Sequence, residues 1–144
     1  MWKLVGIVLL VSAAACANAS SPAASNSTTP TGPPTDLESA RAAWQAADVG
    51  SYALMIKTEC FCAPQNYRVV VAGGGSVQTK APEDYLPETV DDLFAIIQKG
   101  YDEKAVTVDV AYDDVGVPLR IFIDQATNIA DEEMGYEVTF EDLS

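Results

Sequence analysis

The sequence predicts an α+β domain: a mostly antiparallel sheet of about six strands with two helices packed on one face. Three observations carry this expectation. Stretches with apolar residues at helical spacing are followed by stretches in which apolar and polar residues alternate. The order of one helix then three strands occurs twice, so an α-β-β-β internal repeat is expected from element order, although few residues match between the halves. Of the 144 residues, 49% are hydrophobic, enough for the core of one ordinary domain.

The elements follow in order. Thr35-Asp36-Leu37-Glu38 has capping-box spacing, and Leu37, Ala40, Trp44 and Ala47 share one helical face, with Gly50 beyond them. This predicts a first helix over about 36–48. Tyr52, Leu54, Ile56 and Thr58 alternate with Ala53, Met55, Lys57 and Glu59, the pattern of a half-buried strand. Tyr67 to Val71 reads as a second strand, Gly73-Gly74-Gly75 as a hairpin turn, and Val77 to Lys80 as a third strand. A second helix starts at Thr89-Val90-Asp91-Asp92, whose acids suit the helix dipole. Val90, Leu93, Phe94 and Ile97 form its apolar stripe, and Gly100 is expected to close it after Lys99. Val106, Val108, Val110 and Tyr112 are expected on the inner face of a fourth strand. Asp113 to Pro118 is a turn, Leu119, Ile121 and Ile123 line a fifth strand, and Tyr136, Val138 and Phe140 mark a sixth. One face of such a sheet is free to remain exposed.

Before the domain, residues 1–15 read as a signal peptide. Lys3 is followed by the apolar run Leu4 to Val11 and by small residues, in a stretch too short to span a bilayer stably. Ala15-Cys16 resembles a bacterial lipobox, in which the Cys16 thiol is lipidated and becomes the mature N-terminus. Ala17-Asn18-Ala19 offers the alternative of ordinary cleavage and a soluble secreted or periplasmic protein. Residues 16–35 combine the lipid-attachment Cys with an uncharged Ala/Ser/Thr/Pro tether that has nothing to pack until the single domain of 36–144 begins. The expected address is the extracytoplasmic side of a membrane, held through lipid on Cys16.

Charge narrows the function classes. Acids number 21 against 8 Lys plus Arg, and the net charge is −13 with no His. Removing residues 1–15 takes away Lys3 and no acid, so −13 becomes −14. Nucleic-acid binding, which rests on cations replacing counterions, is excluded as an expectation. A tether that keeps so acidic a domain off an anionic lipid surface makes physical sense. Without His, a Ser-His-Asp hydrolase is impossible and the commonest metal ligand is missing. The glycine triplet joins two strands instead of preceding a helix, so no phosphate loop forms there.

Several segments carry a family resemblance. They are Trp44, Ser51-Tyr52, Cys60-Phe61-Cys62, Thr89-Val90-Asp91-Asp92-Leu93-Phe94, Tyr112-Asp113-Asp114-Val115-Gly116-Val117-Pro118, and Asn128 to Glu133 leading to Tyr136. In order and spacing, over roughly residues 40–143, they resemble the uncharacterised family of small bacterial envelope proteins called domain of unknown function 6174. The resemblance implies a secreted or lipid-anchored bacterial protein and brings no activity or catalytic residues with it.

Three chemistries compete at Cys60 and Cys62. A structural disulfide comes first, since these are the thiols that remain in an oxidising compartment once Cys16 is lipidated or removed. In an extended strand their Cα atoms stand about 6.5–7 Å apart, so the chain must bend at Phe61. Redox-active thiols come second, opposed by the carboxylate of Glu59. A two-sulfur site for a soft metal such as Cu(I) comes third. Asp113, Asp114, Asp124, Asp131, Glu132 and Glu133 would suit calcium by ligand type, but turn chemistry accounts for Asp113, Asp114, Gly116 and Pro118 without a metal. No metal or other cofactor and no catalytic residue is therefore expected. Tyr52, Tyr67, Tyr112, Tyr136, Phe122 and Phe140 are expected in packing, with a ligand-binding face as the alternative. The functional expectation is a non-enzymatic envelope module contacting a protein or cell-wall partner through an exposed sheet face or its loops. The alternative is a thiol redox or soft-metal protein using the C-x-C pair.

Overall fold

A computed structural model describes residues 32–60, 63–126 and 133–144. Cys16, most of the tether, Phe61, Cys62, Asp131 and Glu132 lie outside the described residues. The elements run α1 (Leu37–Ala47), β1 (Tyr52–Cys60), β2 (Asn66–Ala72), β3 (Ser76–Thr79), α2 (Val90–Asp102), β4 (Thr107–Tyr112), β5 (Pro118–Asp124) and β6 (Met134–Asp142). The six strands form one antiparallel sheet in the order β3-β2-β1-β6-β5-β4. The first and last strands thus meet at the centre, where all nine residues of β1 pair with all nine of β6. The α+β class follows directly. Each half runs helix then three strands, but β3 has four residues and β6 nine, and only the element order speaks for a repeat.

Alternation along the strands decides which face meets the helices. Tyr52, Leu54, Ile56 and Thr58 of β1, Tyr67, Val69 and Val71 of β2, Ile121 and Ile123 of β5, and Tyr136 and Val138 of β6 are buried. Val90, Leu93, Phe94 and Ile97 of α2 cover them, joined by Leu37 and Ala40 of α1. Fully burying each large aliphatic side chain contributes roughly 1.5–3 kcal/mol. Trp44 closes the α1 end, edge-on to Tyr52 at 5.3 Å and to Phe140 at 5.9 Å between ring centres.

Three local expectations are corrected. The α1 N-cap is Asp36, whose side chain accepts from the Ser39 N–H, in place of the Thr35/Glu38 box. A reciprocal box occurs at α2 instead, where Thr89 and Asp92 satisfy each other's backbone N–H groups. Gly100 does not end α2. The helix runs on to Asp102, and Gly100 is its point of closest approach to the sheet, where an added Cβ would lie 3.2 Å from Ile123 and Val108 methyls. Val106 precedes β4 and is 55% exposed, because β4 is an edge strand whose Val108 and Val110 are themselves only half-buried.

The opposite face of the sheet is open to solvent and carries paired charges. Lys57 bridges Glu59 at 2.8 Å and Glu137 at 3.1 Å, Arg68 bridges Glu141 at 3.1 Å, and Arg120 pairs with Asp109. Arg68 lies opposite Met55 on β1, while Glu141 lies opposite Ala53. The Arg68–Glu141 bridge therefore crosses over β1 above Ala53, which is 2% exposed although it faces this side. Only a small side chain fits under it.

Candidate functional site

The hairpin turn between β4 and β5 builds one wall of the candidate site. The Asp113 carboxylate accepts from the backbone N–H groups of Val115 at 3.1 Å and Val117 at 2.7 Å, while the Asp113 N–H donates to the Val117 carbonyl. Gly116 sits at φ +91°, where an L side chain is strained, and a Cβ there would fall on the Ala40 carbonyl oxygen and 3.0 Å from the Trp44 nitrogen. Both requirements of the Asp-x-x-Gly-x-Pro run are thus met in one place. The turn closes on itself through Asp113 and seats on the α1 backbone through Gly116. Burial raises the Asp113 pKa, against the lowering effect of N–H groups from Val117, Val115 and Gly116. Asp113 is used up in this turn, and the Asp124 carboxylate accepts from Ala126 N–H at 3.0 Å in the same manner.

With the hairpin docked, Tyr112 is driven inward beneath α1. It is 8% exposed, and its hydroxyl is fully buried with no hydrogen-bond partner among the described residues. Such an orphan is uncommon in a folded domain and costs about 1–3 kcal/mol. Burial first, and then the fields of Tyr101 and Asp36, push this phenol up to about 12, with Arg41 acting in the opposite sense. The hydroxyl is therefore neutral, and able to donate, throughout the physiological range.

A groove runs between the first turn of α1 and the last turn of α2, lined by Leu37, Glu38, Arg41, Gln98 and Tyr101. Two of these residues, Tyr101 and Arg41, are near enough to act on the Tyr112 phenol, which does not itself line the groove. Arg41 is fixed by two contacts: its guanidinium lies 5.3 Å from the Phe94 ring centre and donates to the Phe94 carbonyl at 3.3 Å. In a chain with 21 acids it makes no ion pair among the described residues. Tyr101 is 48% exposed at the mouth. A placed cation, a half-exposed aromatic ring and a buried hydroxyl donor make a constellation suited to recognition.

Other residues of interest are accounted for by structure. Tyr67 donates to the Pro87 carbonyl at 3.0 Å, and Tyr52 accepts from the Val90 N–H at 3.3 Å, so both pin the entry to α2. Tyr136 is buried, and burial raises its pKa; Phe122 and Phe140 are half-buried. Cys60 ends β1, where the Thr58 N–H donates to the Gln65 carbonyl at 2.9 Å and the Gln65 N–H to the Thr58 hydroxyl at 2.8 Å. Its partner in the C-x-C pair, Cys62, lies outside the described residues. Among the described residues no helix is long and apolar enough to cross a membrane, and no three His, Cys, Asp or Glu side chains converge as a metal group would require.

Sequence reasoning passed over Arg41, Gln98 and Tyr101. The signal for Arg41 was present: it stands four residues after Leu37 and three before Trp44, on the helical stripe that packs inward. No curated protein and no solved structure gives a significant match to the chain. A family model does match, over residues 36–141, from the start of α1 nearly to the end of β6. The chain belongs to the family of unknown function DUF6174.

Proposed function

We propose that this chain is an extracytoplasmic, non-enzymatic binding module, lipid-anchored through Cys16 on a tether and recognising its partner with the groove between α1 and α2. The observation that carries the reading is the buried Tyr112 hydroxyl, without a partner among the described residues, near Arg41, an arginine without a counter-ion among them. The buried hydroxyl carries a stability cost that a ligand would relieve, and the Arg41 guanidinium keeps further N–H donors to offer one. The open sheet face has the opposite character, since its cations are matched by carboxylates and it gains little from a charged partner. Cys60 and Cys62 act in this reading as a disulfide that fixes where β1 stops, supported by the turn bonds that close on Thr58 just before it.

Labelling cells with a fatty-acid analogue tests the anchor. Label lost in Cys16→Ser supports it, and an intact mature N-terminus at Ser20 rejects it in favour of secretion. Mass spectrometry after non-reducing alkylation reads the thiol pair, where two alkylated cysteines would reject the bridge. The rival redox reading predicts disulfide reductase turnover abolished by Cys60→Ser. Robust turnover of that kind would displace the binding module.

A further inference from the structure

The binding reading leaves the ligand open, and the inference drawn here rests on that reading. We propose that the α1–α2 groove binds a single carboxylate carried on an apolar body, such as the free C-terminus of a peptide, with Arg41 as its counter-ion and the Tyr112 hydroxyl as a second donor.

Five features in and around the groove select this class. Arg41 presents a planar fork of five N–H donors, matched to a carboxylate in two-point geometry, and one contact to the Phe94 carbonyl accounts for one of its terminal nitrogens. Stacking on Phe94 holds that fork in position, so little ordering entropy remains to be lost on binding. Tyr112 is neutral and so donates to an anion without repelling it. Glu38 and Asp36 flank the same turn and oppose a second negative charge, which separates a monocarboxylate from phosphates and dicarboxylates. Tyr101, with half its surface in solvent, and Leu37 supply the apolar wall for the body of the ligand. The Gln98 amide lines the same groove and already accepts a local role, donating to Asp102 at 3.0 Å. Tyr112 does not itself line the groove, so the half-exposed Tyr101 ring must turn aside for the ligand to reach the buried hydroxyl.

The test uses the full-length protein in detergent and two probes, N-acetyl-dialanyl-phenylalanine with a free carboxylate and its C-terminal amide. Amide-resolved NMR titration reads the binding. The acid is expected to shift Leu37, Arg41, Gln98 and Tyr101 saturably, with the amide at least tenfold weaker. Arg41→Gln should lose at least tenfold in affinity and Arg41→Lys should recover part of it. Tyr112→Phe should weaken the acid several-fold while keeping or raising Tm, because it deletes a hydroxyl that the free protein leaves unsatisfied. Equal binding of acid and amide would overturn the carboxylate assignment and leave the groove as a binding site. A Tm lowered by Tyr112→Phe would show the hydroxyl to be structural and overturn its role. Absence of shifts with either probe would reject this ligand class, and contact of Tyr101 with a cellular partner would then still support the module.

Discussion

The two faces of the sheet solve opposite problems. On the open face, charges stand in register across strands: Lys57 lies opposite Glu137 on β6, and Arg120 lies opposite Glu137 from the other side. Every cation there has a carboxylate, and water reaches them all, so the face is at rest. On the helix face, close packing is interrupted at one end by a buried hydroxyl that has no acceptor among the described residues and by a half-buried arginine that has the Phe94 carbonyl as an acceptor but no acid among them. A domain can tolerate one or two such costs out of a total stability of about 5–15 kcal/mol. The difference teaches where recognition is to be sought: in the region left unsatisfied, not in the one most exposed.

The comparison can be broken most severely at the hinge between hairpin and helix. Gly116→Ala places a Cβ on the Ala40 carbonyl at a strained φ, and is expected to cost about 3–5 kcal/mol, or to prevent folding, by urea denaturation. Gly74→Ala is its control. That glycine has φ +77° but open space around it, so the loss should stay near about 1–2 kcal/mol. Equal losses at the two positions would remove the seat of the hairpin on α1 from the account. Next in size, Asp113→Ala strips two backbone N–H groups of their acceptor and should cost about 1–3 kcal/mol.

Acid titration distinguishes two carboxylates beside α1 by sign. Hydrogen bonds from the Ser39 backbone and side chain lower the Asp36 pKa below 3.8, so its contribution is present above that value and is lost as pH falls through the depressed one. Asp113 runs the other way. Its raised pKa means that the folded state takes up its proton first, so its contribution to stability grows as pH falls through the raised value towards 3.8. Carboxyl NMR titration should place Asp113 above Asp36, and the reverse order would contradict the burial assigned to the turn. The smallest effect belongs to the open face. Arg68→Ala or Arg120→Ala should change stability by less than about 1 kcal/mol, and by still less in high salt.

Much of this architecture was legible in the residues. The alternation from Tyr52 to Thr58 and from Tyr136 to Phe140 gave the inner face of the two central strands, and Asp113 to Pro118 gave the turn. What the alternation could not show was that β1 and β6 are neighbours, since pairing partners distant in sequence leave no local trace. Gly100 was mistaken for a stop because a glycine late in a helix serves either termination or close approach, and only the sheet beneath it decides. The capping-box spacing pointed to Thr35, and one hydrogen bond, from the Ser39 N–H to Asp36, makes the next residue the cap. Val106 fitted the inner-face period but lies before an edge strand, where one flank has no neighbour to cover it. At the candidate site, Tyr112 was picked out as an aromatic strand residue. Its missing partner is a property of three dimensions, and Arg41 was passed over because the first helix was read from its apolar members Leu37, Ala40, Trp44 and Ala47 alone.

The most direct test of the central claim is photocrosslinking in intact cells, with a photoreactive side chain at Tyr101 on the groove or at Thr139 on the open face. The account predicts a discrete crosslinked product from position 101, diminished by Arg41→Gln, and none from position 139. Crosslinking from position 139 with none from position 101 would place recognition on the ion-paired face and contradict it.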